Sequence, residues 1–191
     1  MRNIVLWTEK CLFSDPLFAI MNVKQTRIRT RRFLMERNYM NPHLIVEFEY
    51  IEEQSAALHE HENPEILFLL EGSLEVRTDQ QTYTLHSEDF LLINAGRRHS
   101  YHSDRRILAV RFQISLAKLQ EMLHRKTVIF HWSSLFDNAG AQKEKRQLLK
   151  DILCGSVNNG TKDDFYVSSL DYQLLRLLCG RFLLEYREQD E

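Results

Sequence analysis

His59-Glu60-His61 is followed after three residues by Glu65 and, after six more, by Gly72; further on, Gly96 precedes His99 by three. Side chains two apart on an extended segment share a face, so His59 and His61 are expected to point the same way. Glu65, directly after Pro64 and at the head of an apolar run, can turn inward beside them. His99 arrives from a later hairpin and is expected to close the site from the opposite wall. Three imidazoles and one carboxylate make a mixed nitrogen and oxygen set suited to a divalent first-row transition metal such as Mn, Fe, Ni, Zn or Cu. Calcium and magnesium are disfavoured, since both prefer oxygen ligands alone. Plainer roles stay open for each residue: an imidazole can bond a polar small molecule or tie two strands together. The joint spacing is what singles out His59, His61, Glu65 and His99 as the ligand-binding set.

Other chemistries find less support. Ser100, His102 and Asp104 alternate along one short strand, a geometry that does not build a nucleophilic triad. Cys11, Cys154 and Cys179 are odd in number, form no CxxC pair and have no base beside them. They read as free thiols in a reducing cytoplasm. None of the six Gly makes a phosphate-cradling loop. His86, His102, His124 and His131 read as surface or cap residues, and Asp89 as a turn cap. No catalytic residue is assigned, and the chain is expected not to be an enzyme.

The elements that must hold the candidate site change character along the chain. From about residue 43 to 114 the period is two: HLIVEFEYI, EILFLLE, SLEVRT, TYTLH, DFLLIN and ILAVRFQI follow at short intervals. Leu74 and Val76 alternate with Glu75 and Arg77, while Leu108, Val110 and Phe112 alternate with Ala109 and Arg111. Turn residues separate the runs, among them Gly72-Ser73, Asp79-Gln80, Ser87-Glu88-Asp89 and Asn94-Ala95-Gly96. Short strands spaced this closely predict an antiparallel barrel or sandwich. After Ser115 the period becomes helical. LAKLQEMLHR predicts a short helix, AQKEKRQLLKDILC a second ending at Gly155, and Phe165 to Tyr186 a long third. The third is apolar on more than one side through Leu174, Leu175, Leu177, Leu178, Cys179, Phe182, Leu183 and Leu184, which predicts a helix sandwiched within its own domain or, the favoured reading, a seam with a second copy of the chain. Close approach of another backbone would offset the cost of Gly180 in that helix, about 1 kcal/mol relative to Ala.

Composition narrows the function classes. With 25 Lys plus Arg against 27 Asp plus Glu, the 191 residues carry a net charge of −2, which leaves no broad electrostatic footprint for nucleic acid or a membrane. Arg27, Arg29 and Arg31 form one local basic stripe, read as an ordinary solvated face. No apolar run approaches the ~18 residues of a membrane span. The opening MRNIVLWTEK carries an acid where a signal peptide needs an unbroken apolar stretch, so a cytoplasmic location is expected.

The stretch HEHENPEILFLLEG resembles the first cupin motif, and EDFLLINAGRRH resembles the second. Glu88 and Asn94 stand where that second motif usually has Gly and Pro, Ser103 stands at its closing Asn, and Glu53 stands where the first motif would begin with Gly. The resemblance covers residues 43–114 and implies a small double-stranded β-helix (jelly-roll) barrel with His59, His61, Glu65 and His99 in the metal-ligand positions. A narrower resemblance, running on into VSSLDYQLLRLLCGRF, is to the N-terminal sensor half of arabinose-operon-type (AraC/XylS) transcription regulators. It implies a mainly β plus α chain: an N-terminal segment (1–40) packing on the barrel, a cupin barrel (41–115) that binds a small polar effector such as a sugar, and a helical dimerisation region (116–191). DNA would be bound by a helix-turn-helix domain that these residues do not contain. The alternative is a stand-alone metal-dependent cupin enzyme, an oxygenase or isomerase; a storage or scaffold cupin is a third reading.

Overall fold

The computed structural model describes residues 33–35, 44–49, 56–136, 139–157 and 164–184, all within the unit Arg32–Glu191. The N-terminal segment apart from residues 33–35, its arginine stripe, Cys11 and the chain beyond Leu184 lie outside the described residues.

Nine strands form among the described residues, β1 (Phe33–Met35), β2 (Leu44–Glu49), β3 (Ala56–His59), β4 (Glu65–Glu71), β5 (Ser73–Thr78), β6 (Thr82–His86), β7 (Phe90–Ile93), β8 (His99–His102) and β9 (Leu108–Ile114); β2, β4, β5, β6, β7 and β9 are the six period-two runs. They pair antiparallel in two sheets, ordered β1-β2-β9-β4-β7 and β3-β8-β5-β6. Between the sheets, Leu67, Leu69, Leu91, Ile93 and Ala109 of the first meet Leu74, Val76, Leu85 and Tyr101 of the second in one buried cluster. Each fully buried Leu or Ile contributes roughly 2 kcal/mol, so this packing holds the two sheets together.

The alternation expected of β5 holds: Leu74 and Val76 are fully buried. In β4, β7 and β9 it does not, because these strands are buried on both faces. Ile66, Phe68, Phe90, Val110 and Phe112 are fully buried, yet strand alternation turns them away from the barrel interior. Part of their cover comes from the segment after the barrel. Trp132 packs on Phe90 at 4.6 Å between ring centroids. Its carbonyl accepts from Leu92 N at 2.9 Å, and Ser134 N donates to Phe90 O at 2.9 Å, so this segment extends the edge of β7.

Three helices follow: α1 (Leu116–Leu123), α2 (Ala139–Val157) and α3 (Asp164–Leu177). Ser115 caps α1, and His124 ends it in a left-handed conformation with φ 52°. Helix α2 continues past Gly155, which is therefore not its stop. The long third helix stops early: at Leu178–Phe182 the chain makes a π-helical turn, after which Leu183 is extended and bridges Phe130. His131 N then donates to Phe182 O and Leu184 N to Ile129 O, each at 2.9 Å. This resolves part of the surplus apolar surface within the chain. Leu174, Leu175 and Leu178 are buried, and Leu183 and Leu184 leave the helix altogether. At Gly180 a Cβ would meet nothing within 4 Å, so no backbone of the described residues approaches it. No helix among the described residues is long and apolar enough to cross a membrane.

Candidate metal centre

The four expected side chains gather at one end of the barrel, but not with the walls assigned from the sequence. His59 ends β3 and pairs directly across the ladder with His99, the first residue of β8. Their rings are 4.2 Å apart between centroids. His99 is thus the neighbour of His59 on the same wall, and Glu65, from the other sheet, supplies the opposite one. His61 lies beyond the end of β3. Its ring is 6.4 Å from that of His59 and 4.9 Å from that of His99.

Local hydrogen bonds fix these positions. Gly96 N donates to His61 O at 2.8 Å, which ties the loop of the second motif to that of the first. Gly96 does so at φ +68°, a conformation that favours glycine. The Nδ1 atoms of His59 and His99 lie 2.9 and 2.8 Å from the carbonyls of Ala57 and Arg97, each two residues upstream. A carbonyl only accepts, so Nδ1 carries the proton and Nε2 presents its lone pair, the tautomer a metal ligand needs. Burial pushes the His99 imidazole below its usual pKa, and the His59 and His61 rings add to that. The Arg97 carbonyl and the Glu65 charge pull the other way. His99 is accordingly held neutral near pH 7.

Ligand atoms of His61, Glu65 and His99 all lie within 4.8 Å of one another. Glu65 and His99 are fully buried. Both ring nitrogens of His61, Oε2 of Glu65 and Nε2 of His99 are buried with no hydrogen-bond partner among the described residues. A buried polar atom left without a partner costs roughly 1–3 kcal/mol. One such atom from each of the three residues, all within 4.8 Å, fits a cation that accepts their lone pairs, and two imidazoles with one carboxylate suit a first-row transition metal. His61, Glu65 and His99 would hold such an ion, which could act there as a Lewis acid. His59 stands beside this trio rather than within it.

Two residues of the site escaped the sequence reading. Tyr101 Oη donates to Glu65 Oε1 at 2.5 Å, and Arg111 Nη1 lies 3.6 Å from Glu65 Oε2. Arg111 is 6% exposed, which corrects its assignment as the outward member of an alternating pair. Strand alternation aligns it with Ala109, on the interior face. The other described histidines are peripheral, as expected. His86, His102, His124 and His131 are exposed. His102 Nε2 lies 3.1 Å from the carboxylate of the exposed Asp104. Asp89 caps its turn by accepting from His86 N at 2.9 Å. Cys154 and Cys179 are half-buried, and burial raises the Cys179 thiol, which keeps it protonated. Two open cavities, of about 270 and 360 Å³, lie elsewhere and include none of the four candidate residues. The larger one is walled in part by Asn94–Arg97, the loop that braces His61 and His99.

Comparison with known proteins agrees with this architecture. The Cupin domain family model matches residues 46–111. This part of the chain is a cupin domain. Among solved structures, a cupin-2 domain containing protein from Shewanella frigidimarina is 18% identical, with a TM-score of 0.42 over 50% of this chain and 92% of that one. The DMSP lyase DddQ from Ruegeria pomeroyi is 22% identical, with a TM-score of 0.37 over 39% of each chain. The EutQ protein of Clostridium difficile is 14% identical, with a TM-score of 0.39 over 44% of this chain and 65% of that one. No curated protein matches the sequence.

Proposed function

We propose that this chain is the effector-binding and dimerisation part of an AraC/XylS-type transcription regulator, and not an enzyme. The observation that carries this reading is the link between the barrel and the helices. Strand β4 begins at Glu65 in the polar end. Four residues on, Leu69 N and O bond the Glu88-Asp89 turn at 2.9 and 2.6 Å. That turn holds α2 through Glu88 Oε1 to Lys150 Nζ at 2.6 Å and Asp89 Oδ1 to Arg146 Nη2 at 3.3 Å. A ligand that rearranges Glu65 therefore pulls on a strand whose other end is fastened to a helix.

The apolar cluster lies between the two sheets, so a small polar effector, a sugar among the candidates, is confined to the mouth near His59, His61, Glu65 and His99. In this reading the chain works in the cytoplasm, as a homodimer formed through its C-terminal helical region. DNA contact belongs to a helix-turn-helix domain outside these residues. The effector acts only if it binds the two states unequally. Transcription from a responsive promoter tests this. His99→Ala should abolish the effector's influence while sedimentation still reports a dimer, and unchanged induction overturns the reading.

The unpartnered donors of His61, Glu65 and His99 favour a second reading, a metal-dependent cupin enzyme. Turnover lost on chelation and restored by one divalent metal would establish it. A protein that purifies and remains metal-free would count against it.

A further inference from the structure

Glu65 has two oxygens, and the fold treats them differently. Oε1 accepts the Tyr101 hydroxyl at 2.5 Å, a short bond between two buried groups. Oε2 has no hydrogen-bond partner; it lies 3.5 Å from His61 Nε2 and 3.6 Å from Arg111 Nη1. The Tyr101 hydroxyl thus occupies Oε1 and leaves Oε2 to the imidazole side of the site. Tyr101 is itself rigidly placed. It pairs with Val76 on one side and Ala56 on the other, and its ring sits 5.2 Å from His99 and 5.6 Å from His59. Arriving from the opposite sheet to Glu65, it fixes the rotation of the carboxylate and leaves one oxygen facing the imidazoles.

We infer that Tyr101 is a positioning residue that makes Glu65 a one-oxygen ligand, and so biases the site toward Co(II)- and Zn(II)-like ions of low coordination number over larger ions that take a carboxylate through both oxygens. This rests on the metal reading of His61, Glu65 and His99. Partners that orient a metal-ligating carboxylate typically alter metal affinity 10–100-fold when removed, although they never touch the ion.

The test is titration of the full chain with Co(II) and, separately, Mn(II), following heat and the visible Co(II) absorption, in wild type and Tyr101→Phe. The variant keeps the ring and frees Oε1. Co(II) affinity should fall about tenfold while Mn(II) affinity holds or rises, and the Co(II) bands should weaken as the coordination number grows. Melting of the metal-free variant reports its fold. Should Tyr101→Phe not fold, 3-fluorotyrosine placed at position 101 keeps the shape and strengthens the donor, and the Co(II) bands must then shift. A wild-type chain that takes up no Co(II) overturns the metal reading and the inference together. Wild-type binding with an unchanged affinity ratio and spectrum in Tyr101→Phe overturns the inference alone.

Discussion

At one end of β4, the Asp89 carboxylate is fully engaged. It accepts from Ser134 Oγ at 2.8 Å, from Arg146 Nη2 at 3.3 Å and from His86 N at 2.9 Å. Glu88 beside it accepts from Lys150 Nζ at 2.6 Å. At the other end, Glu65 is more deeply buried and yet keeps Oε2 open, facing imidazole nitrogens that are open as well. The first end spends its polar atoms on one another and so fastens turn to helix. The second leaves them unspent, and a chain tolerates buried donors without partners only where something else is meant to fill them. An acid that is buried and satisfied marks structure; one that is buried and half-satisfied marks a site.

The largest effect is expected where the polar atoms are paired. Asp89→Ala removes the acceptor of a guanidinium, a hydroxyl and a backbone N–H at once, and should lower unfolding stability by about 3 kcal/mol. Urea unfolding measures this, and a loss below about 1 kcal/mol would remove the turn from the role of helix anchor. Metal or effector uptake at the far end, assayed below the melting temperature, should be unchanged. His61→Ala is the converse. It deletes two nitrogens that have no partner, so the metal-free chain should lose less than about 1 kcal/mol, while Co(II) uptake measured by titration should collapse. Equal damage to fold and binding in both variants would erase the distinction between the two ends.

A subtler pair of variants probes the turn alone. Glu88 holds φ +72°, a left-handed conformation that costs a non-glycine residue about 1 kcal/mol. Glu88→Ala keeps that strain and loses the Lys150 contact, whereas Glu88→Gly loses the contact but relieves the strain. Thermal melts should therefore rank Ala below Gly, with Gly within about 0.5 kcal/mol of wild type. A Gly variant less stable than wild type by more than about 1 kcal/mol would show that the ion pair outweighs the backbone.

Glu88 also shows what could be read from the residues and what could not. The sequence marked it as a departure from a motif position that usually holds Gly, and a turn was expected there; that a lysine 62 residues later in the chain compensates is not a local signal. Period two located the strands because Leu74 and Val76 face one interior. It misplaced Arg111 because β9 is covered on both faces, where apolar residues stand on both sides and alternation carries no direction. The spacing of His59, His61, Glu65 and His99 brought them to one end of the barrel. It did not say which shared a sheet, since that depends on β3 pairing with β8, a contact 40 residues apart in register. The end of α3 was misjudged for a related reason. Leu183 and Leu184 look helical in composition, and only the strand-like bond from Leu184 N to Ile129 O shows that they serve another partner.

The smallest expected effect separates the two ends by pH. Burial, with the neighbouring His59 and His61 rings, holds the His99 imidazole below the ordinary histidine pKa, against the pull of the Arg97 carbonyl and Glu65. Between the folded pKa and the unfolded value of about 6.5, the unfolded chain binds a proton that the folded chain refuses, so stability must rise with pH across that window. The contribution is complete above about 6.5 and drains away as the pH falls through the folded pKa. Urea unfolding between pH 5 and 7.5 should therefore show a slope in the wild type that is reduced in His99→Gln. Saturating Co(II) should steepen the wild-type slope, because the ion holds to the neutral ring and competes with the same proton. Asp89→Ala should keep the wild-type slope while lowering the whole curve, since the turn it disrupts lies at the other end of β4. An identical slope in His99→Gln and wild type would show that the buried imidazole is not held neutral, and with it would go the contrast between an open end and a closed one.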